Sequence, residues 1–168
     1  MGEQTTQPAS PPRRRARRAA AAEPTTTTLE VTLPRGRTPP LDPKEERELL
    51  HRGVALFNGR RYWHAHEAWE TLWRAAPDSE RDFCQGLIQV AAGLLHLQRR
   101  NARGARNKLF EGLAKLRPYQ PVHRGIVMNE LVATCEQIEQ DLGAGLLPYL
   151  IPPIIRFAEL EHPREFDR

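Results

Sequence analysis

Between residues 42 and 145, apolar side chains recur every three or four positions and strict alternation is missing, so the chain reads as all-α. The first amphipathic run is "LDPKEERELLHRGVALFNGR". Asp42 is placed to cap it, Pro43 suits the first helical position, and Glu45 and Glu46 favour its positive end. Leu49, Val54, Leu56 and Phe57 supply its apolar face, and Asn58-Gly59 ends it. A second helix is expected from about Arg61 to Ala75, ahead of Pro77, and a third from about Glu80 to Arg100. Asn101 is placed to cap a fourth helix, from Ala102 to Arg117, before Pro118 and Pro121 break the chain. A fifth runs from Met128 to Leu142 and stops at Gly143 and Gly145. The closing "LLPYLIPPIIRFAELEHP" keeps helical spacing nowhere for long. It reads as an apolar strap over the bundle, with one short helical turn after Pro153. The expected architecture is a compact bundle of about five helices over residues 42–160. A disordered tail over 1–41 precedes it, and a short C-terminal tail over 161–168 follows.

The faces of the second and third helices carry the candidate chemistry. On the second, Tyr62, Ala65, Trp69, Leu72 and Trp73 share one side, which is a core stripe, so Trp69 and Trp73 read as packing. Glu67, Glu70, Arg74 and Trp63 point away from it, with His66 on the border. His66 and Glu70 are four apart and share a ridge, while His64 lies off the cluster, in solvent. On the third helix, Phe83, Leu87, Val90, Leu94 and Leu97 cover one side. Cys84, Ile88, Ala91 and Leu95 widen the apolar arc beyond half the circumference, as a central helix requires. Gln85, Gln89 and His96 nevertheless fall within about 40° of one another, next to Ala92. Gly86 and Gly93 leave room for a neighbouring backbone. A short loop makes the two helices antiparallel neighbours. The expectation is that the stripes converge, with His66, Glu67 and Glu70 facing Gln85, Gln89 and His96.

Three uses of such a cluster compete. One is a closed hydrogen-bond network that sets helix register. A second is a small-molecule or proton-handling pocket, lined by Gln85, Gln89, His96, Trp63 and Arg74. In its enzymatic form Glu67 or Glu70 acts as general base with His66 beside it, a hydrolytic reaction being the leading reading. The third is a divalent-metal site built from His66, Glu70 and His96, the least favoured of the three. "HAHEAWE" lacks the second His of H-E-x-x-H and has E-x-x-E where di-iron bundles carry E-x-x-H. No cofactor is named by the sequence.

Charge narrows the partners. The chain of 168 residues has a net charge of +4, and this excess lies wholly in residues 1–41. There Arg13, Arg14, Arg15, Arg17, Arg18, Arg35 and Arg37 outnumber three glutamates, while residues 42–168 hold 18 basic and 18 acidic residues. The helical part has no overall field for phosphate, so nucleic acid would be met only through the Arg-rich tail, which otherwise solubilises. Arg99, Arg100, Arg103 and Arg106 surround the start of the fourth helix and read as a solvated charged face. Mean hydropathy is −0.62, and no apolar run approaches the roughly 18 residues of a membrane helix. "RRRARR" leads into "AAAAEP" rather than an apolar signal region. Cys84 and Cys135 are too few for a disulfide framework and suit a reducing cytoplasm.

The rival to a ligand site is an interaction module. The helix from Asn101 to Leu116 superficially resembles one helix of a tetratricopeptide repeat, but no second copy follows at the 34-residue period. A single hairpin could still take a peptide or a second copy of the chain, and an exposed apolar groove beside Leu109 and Leu113 would favour that.

"FNGRRYWHAHEAWETLWR" and "FCQGLIQVAAGLLHLQRRNARGARNKLFEGL" together resemble the domain of unknown function 309 family. The match is carried by Phe57, Asn58, Tyr62, His66, Glu67, Glu70 and Trp73. It continues through Gln85 to Gln89, His96, Asn101, Gly104 and Ala105. Arg100 stands where the family has Gly. The resemblance spans roughly residues 45–118 and implies a small helical bundle; it transfers no reaction.

Overall fold

The computed structural model describes residues 36–147 and 151–159. Of the expected tails over 1–41 and 161–168, residues 1–35 and 161–168 lie outside the described residues, whereas residues 36–41 meet the helices: Thr38 N donates to Arg74 O at 3.1 Å, and Leu41 packs against the core, so order starts before the expected Asp42. Five helices follow in order: α1 Pro43–Asn58, α2 Tyr62–Ala75, α3 Asp78–Gln98, α4 Ala102–Leu116 and α5 Met128–Gly143. Each packs against the next, and α3 makes its largest contact with α4.

Local chemistry sets the ends. The Asp42 carboxylate accepts from the Lys44 and Glu45 amides at 2.8 and 2.9 Å, and Glu45 reaches back to the Asp42 amide, closing a capping box. Asn101 Oδ1 accepts from Gly104 N at 2.9 Å and starts α4. Arg100, at the position where the resembled family has Gly, holds φ at 57°, the left-handed conformation that glycine adopts without cost. That geometry explains why Gly suits the α3–α4 turn.

The core is the one the spacing implied. Phe57, Trp69, Phe83, Leu87, Leu109 and Leu113 are fully buried, and Trp73 packs at the edge. Leu50 is buried as well, so α1 turns its core face slightly away from the expected Leu49 and Leu56. Two close crossings depend on missing side chains. A Cβ at Gly53 would fall on the Trp69 indole nitrogen, and one at Gly86 would lie 3.2 Å from Gly112 O and 2.6 Å from Leu116 Cδ2.

Two expectations are corrected. A hairpin of two short strands, β1 Val122–His123 and β2 Ile126–Val127, stands between α4 and α5 where no strand was foreseen. Its turn residues Arg124 and Gly125 have φ of 48° and 80°, the positive pair that a tight two-residue hairpin demands. The helical turn after Pro153 is also absent. Residues 151–158 form no helix, and Phe157 bridges to Ile126. Val127 N donates to Arg156 O at 2.9 Å, and Ala158 N to Gly125 O at 2.7 Å. The strap reading itself holds: Ile155 is buried, and its backbone is gripped on both sides by Asn58. Asn58 Nδ2 donates to Ile155 O at 2.9 Å, and Ile155 N donates to Asn58 Oδ1 at 2.8 Å.

Candidate functional site on the α2–α3 face

Two contacts fix how α2 and α3 lie against each other. The Arg81 guanidinium sits 4.0 Å over the Trp73 ring, and Gln98 Nε2 donates to Arg60 O at 3.1 Å.

On α2, Trp63 is 49% exposed and stacks on His66, with ring centroids 5.6 Å apart and planes 3° from parallel. His66 Nδ1 lies 3.8 Å from Glu70 Oε2, close enough for an ion pair but too far for a hydrogen bond. Glu70 bonds instead to Arg74, at 2.6 Å. Glu67 lines a groove of about 410 Å³ between α1 and α2, together with Arg52, Leu56 and His64. His64 is exposed there, as expected.

On α3, Gln85, Gln89, Ala92 and His96 are all half-buried on the outward side. Gln89 finds its partner on α4: Nε2 donates to Glu111 Oε2 at 3.0 Å, and Lys108 meets the same carboxylate at 2.7 Å. Because a carboxylate only accepts, the amide nitrogen must face Glu111, which turns Oε1 inward. His96 serves the α3–α4 turn. Asn101 Oδ1 is committed to Gly104 N, so Asn101 Nδ2 faces His96 Nδ1 at 3.1 Å and donates to it. This assigns the imidazole proton to Nε2 by inference from the hydrogen bonds.

The six residues therefore do not form one hydrogen-bonded network. Glu70 pairs with Arg74, Gln89 with Glu111, and His96 with Asn101. The stripe angles on each helix were right, but the neighbour that satisfies each group differs from the expected one. Among the described residues no group of three or more His, Cys, Asp or Glu is arranged to hold a metal, so His66, Glu70 and His96 do not make such a group.

What the α2–α3 face does contain is unsatisfied polarity. Among the described residues, four buried side-chain nitrogen or oxygen atoms lack a hydrogen-bond partner: His66 Nδ1, Trp73 Nε1, Gln89 Oε1 and Arg124 Nη1. Three of the four belong to α2 and α3. Each such atom would cost roughly 1–3 kcal/mol if it stayed without a partner. The charges around the face are internally matched: Glu70 with Arg74, Glu111 with Lys108, and Asp82 with Lys115 at 2.7 Å.

The fourth atom belongs to a cluster the sequence did not reveal. His123 Nε2 meets Glu80 Oε2 at 2.9 Å, and Arg124 meets Glu46 at 2.9 Å, which ties the hairpin to α1 and α3. The signal that could have found it is "VHRGIV", an Arg-Gly turn dipeptide between the β-branched residues Val122 and Ile126-Val127. Asn58 is the other residue missed. It read as a helix stop, yet its side chain anchors the strap.

Leu109 and Leu113 are fully buried, and the α4 surface beside them carries an open depression lined by Gln89, Phe110, Ala114, Pro118 and Tyr119, with Phe110 exposed. No helix among the described residues is long and apolar enough to cross a membrane.

The fold and face describe a small helical bundle with an unsatisfied polar seam. Residues 50–107 match the model of the family described as Domain of unknown function (DUF309), the family that the motifs resemble. Among curated proteins, none matches the chain.

Proposed function

We propose that the α2–α3 face is a binding site for a small polar molecule. The observation that carries the reading is the set of sealed, unpartnered atoms His66 Nδ1, Trp73 Nε1 and Gln89 Oε1. A network kept only to fix helix register would satisfy its members, because a partly satisfied one is worse than apolar packing. A molecule bringing its own donors and acceptors would restore those bonds. The candidate residues divide accordingly. His66, Gln89 and Trp73 make contacts, Trp63 covers the face, and Glu70 with Arg74 and Gln85 form its rim. Glu67 and His96 act elsewhere, in the α1–α2 groove and at the α4 cap. The reading is one of recognition, and it assigns no general base. A reducing, cytoplasmic setting belongs to the same proposal, since Cys84 and Cys135 are both buried and unpaired.

The test is a titration of the full-length chain with a panel of small polar molecules, followed by two-dimensional NMR. Saturable shifts at the Trp73 indole N–H and the Gln89 amide, lost in Gln89→Leu, support the reading. A panel that moves neither signal overturns it.

A further inference from the structure

We infer that the groove between α1 and α2 binds a small organic oxyanion, a carboxylate or phosphate carried on an apolar body. The inference goes beyond the reading above and does not rest on it. It concerns the other side of α2: His64, on the groove, and His66 are two residues apart and so point about 200° apart round the helix.

The cavity comes first. Its volume of about 410 Å³ falls in the range of about 300–1,000 Å³ typical of small-molecule sites. Arg61, His64, Ala68 and Thr71 follow one another at helical spacing and form one wall, and Leu49, Arg52 and Leu56 of α1 form the other. Leu49 and Leu56 are the two apolar residues of α1 that the core does not fully take up. They and Ala68 are half-buried, so the groove keeps apolar surface against which a ligand's body can lie.

Charge selects the head of the ligand. Arg52 and Arg61 border one cavity, and among the described residues neither guanidinium has an ion pair or a side-chain hydrogen bond. Other cations of these helices are committed: Lys44 to Glu48 at 3.8 Å, Arg74 to Glu70 at 2.6 Å, and Arg81 to the Trp73 ring at 4.0 Å. The carboxylates along α1 do not compensate Arg52, because Glu48 faces Lys44 and Glu45 closes the α1 cap. Glu67 is the single carboxylate on the lining, so with His64 neutral the groove carries one uncompensated positive charge. A guanidinium presents paired N–H donors that fit a carboxylate or a phosphate equally well. Thr71 Oγ1 donates to Glu67 O at 3.2 Å, which leaves its lone pairs, like the Glu67 carboxylate, to accept from a hydroxyl on the body.

Phenyl phosphate and phenylacetate carry the two heads on one body. Inorganic phosphate is the head without the body, and benzyl alcohol is the body without the charge. The side-chain Nε–H signals of Arg52 and Arg61 are followed by two-dimensional NMR in the full chain at low salt. Saturable shifts with phenyl phosphate or phenylacetate are expected, and the tighter of the two identifies the head. Arg52→Gln or Arg61→Gln, read at the remaining arginine, should weaken binding about fivefold, the size of one partly screened charged hydrogen bond. Glu67→Gln should tighten it by removing a like charge. Arg103→Gln, which deletes an exposed charge on α4, should leave it unchanged. All four positions are exposed, and thermal melts confirm that each variant is folded. Inorganic phosphate as tight as phenyl phosphate would remove the apolar body from the inference. Benzyl alcohol acting as strongly as the anions, an equal loss from Arg103→Gln, or no saturation with any probe would overturn it. The Trp73 and Gln89 signals should stay still throughout, which separates this result from the α2–α3 titration. Probes that move those two signals and neither arginine would overturn it as well.

Discussion

Replacing His66 with leucine should stabilise this protein. His66 Nδ1 is buried, has no hydrogen-bond partner, and stands 3.8 Å from Glu70, whose carboxylate is already engaged by Arg74. Removing an orphaned buried polar atom recovers roughly 1–3 kcal/mol. Two losses oppose this. The His66–Glu70 attraction joins side chains that are 25% and 35% exposed, so after solvent screening it is worth about 0.5 kcal/mol at most. The stacked contact with Trp63 contributes about 0.5–1 kcal/mol, part of which leucine regains by apolar contact. Leucine is also the better helix former by a few tenths of a kcal/mol. The net expectation is a gain of about 1 kcal/mol, which in urea denaturation raises the midpoint by about 0.5 M with the slope unchanged. The same His66→Leu chain should no longer respond to the ligand panel. A midpoint that falls by the equivalent of about 1 kcal/mol would refute the reasoning, because it would mean the imidazole is a satisfied member of a structural network.

Asn58→Ala removes both bonds to the Ile155 backbone and should cost about 2 kcal/mol. Hydrogen exchange at the Ile155 and Val127 amides should accelerate before the helices respond, and uniform acceleration would sink the view of Asn58 as a local anchor. Burial pushes the Cys84 and Cys135 thiols up to about 12, so at pH 8 roughly one in ten thousand is thiolate in the native state. Labelling by a thiol reagent should therefore follow unfolding, and labelling at the rate of a free cysteine would contradict the burial. At Asp42, the amides of Glu45 and Lys44 hold the carboxyl below its ordinary 3.8. A depressed acid stabilises the fold above its unfolded value, and the contribution disappears as pH falls through 3.8 toward the lower folded value. Asp42→Asn should flatten that part of the acid-unfolding curve, and an unchanged curve would argue against the cap.

The parts of the fold that were legible are those whose causes are close in sequence. The Asp42 cap, Pro43 and the Asn101 cap act within four residues, and the helix ends they imply fall within two of those observed. Periodicity likewise assigned Tyr62, Ala65, Trp69 and Leu72 to the core. The hairpin was missed because strands of two residues lie below any readable alternation. The strap's grip on Asn58 joins positions 97 apart, and no local pattern records it. The candidate site fell between these cases. Helical geometry put Gln85, Gln89 and His96 on one side of α3, but it could not say that Glu111 of α4 would claim Gln89, or that the turn would claim His96. Angle on a helix is a property of that helix, whereas the partner belongs to whichever neighbour packs closest.

The stretch recognisable by family ends at residue 107, early in α4, although α3 is sealed by what comes after. Gly86 packs under Leu116 and Gly112, and Gly93 under Leu109. A fragment cut at the recognisable boundary would leave the longest helix with a bare greasy flank and should aggregate or fail to fold. The smallest cooperative unit extends well past the diagnostic motif, so truncations meant to isolate the motif should keep everything through Gly143.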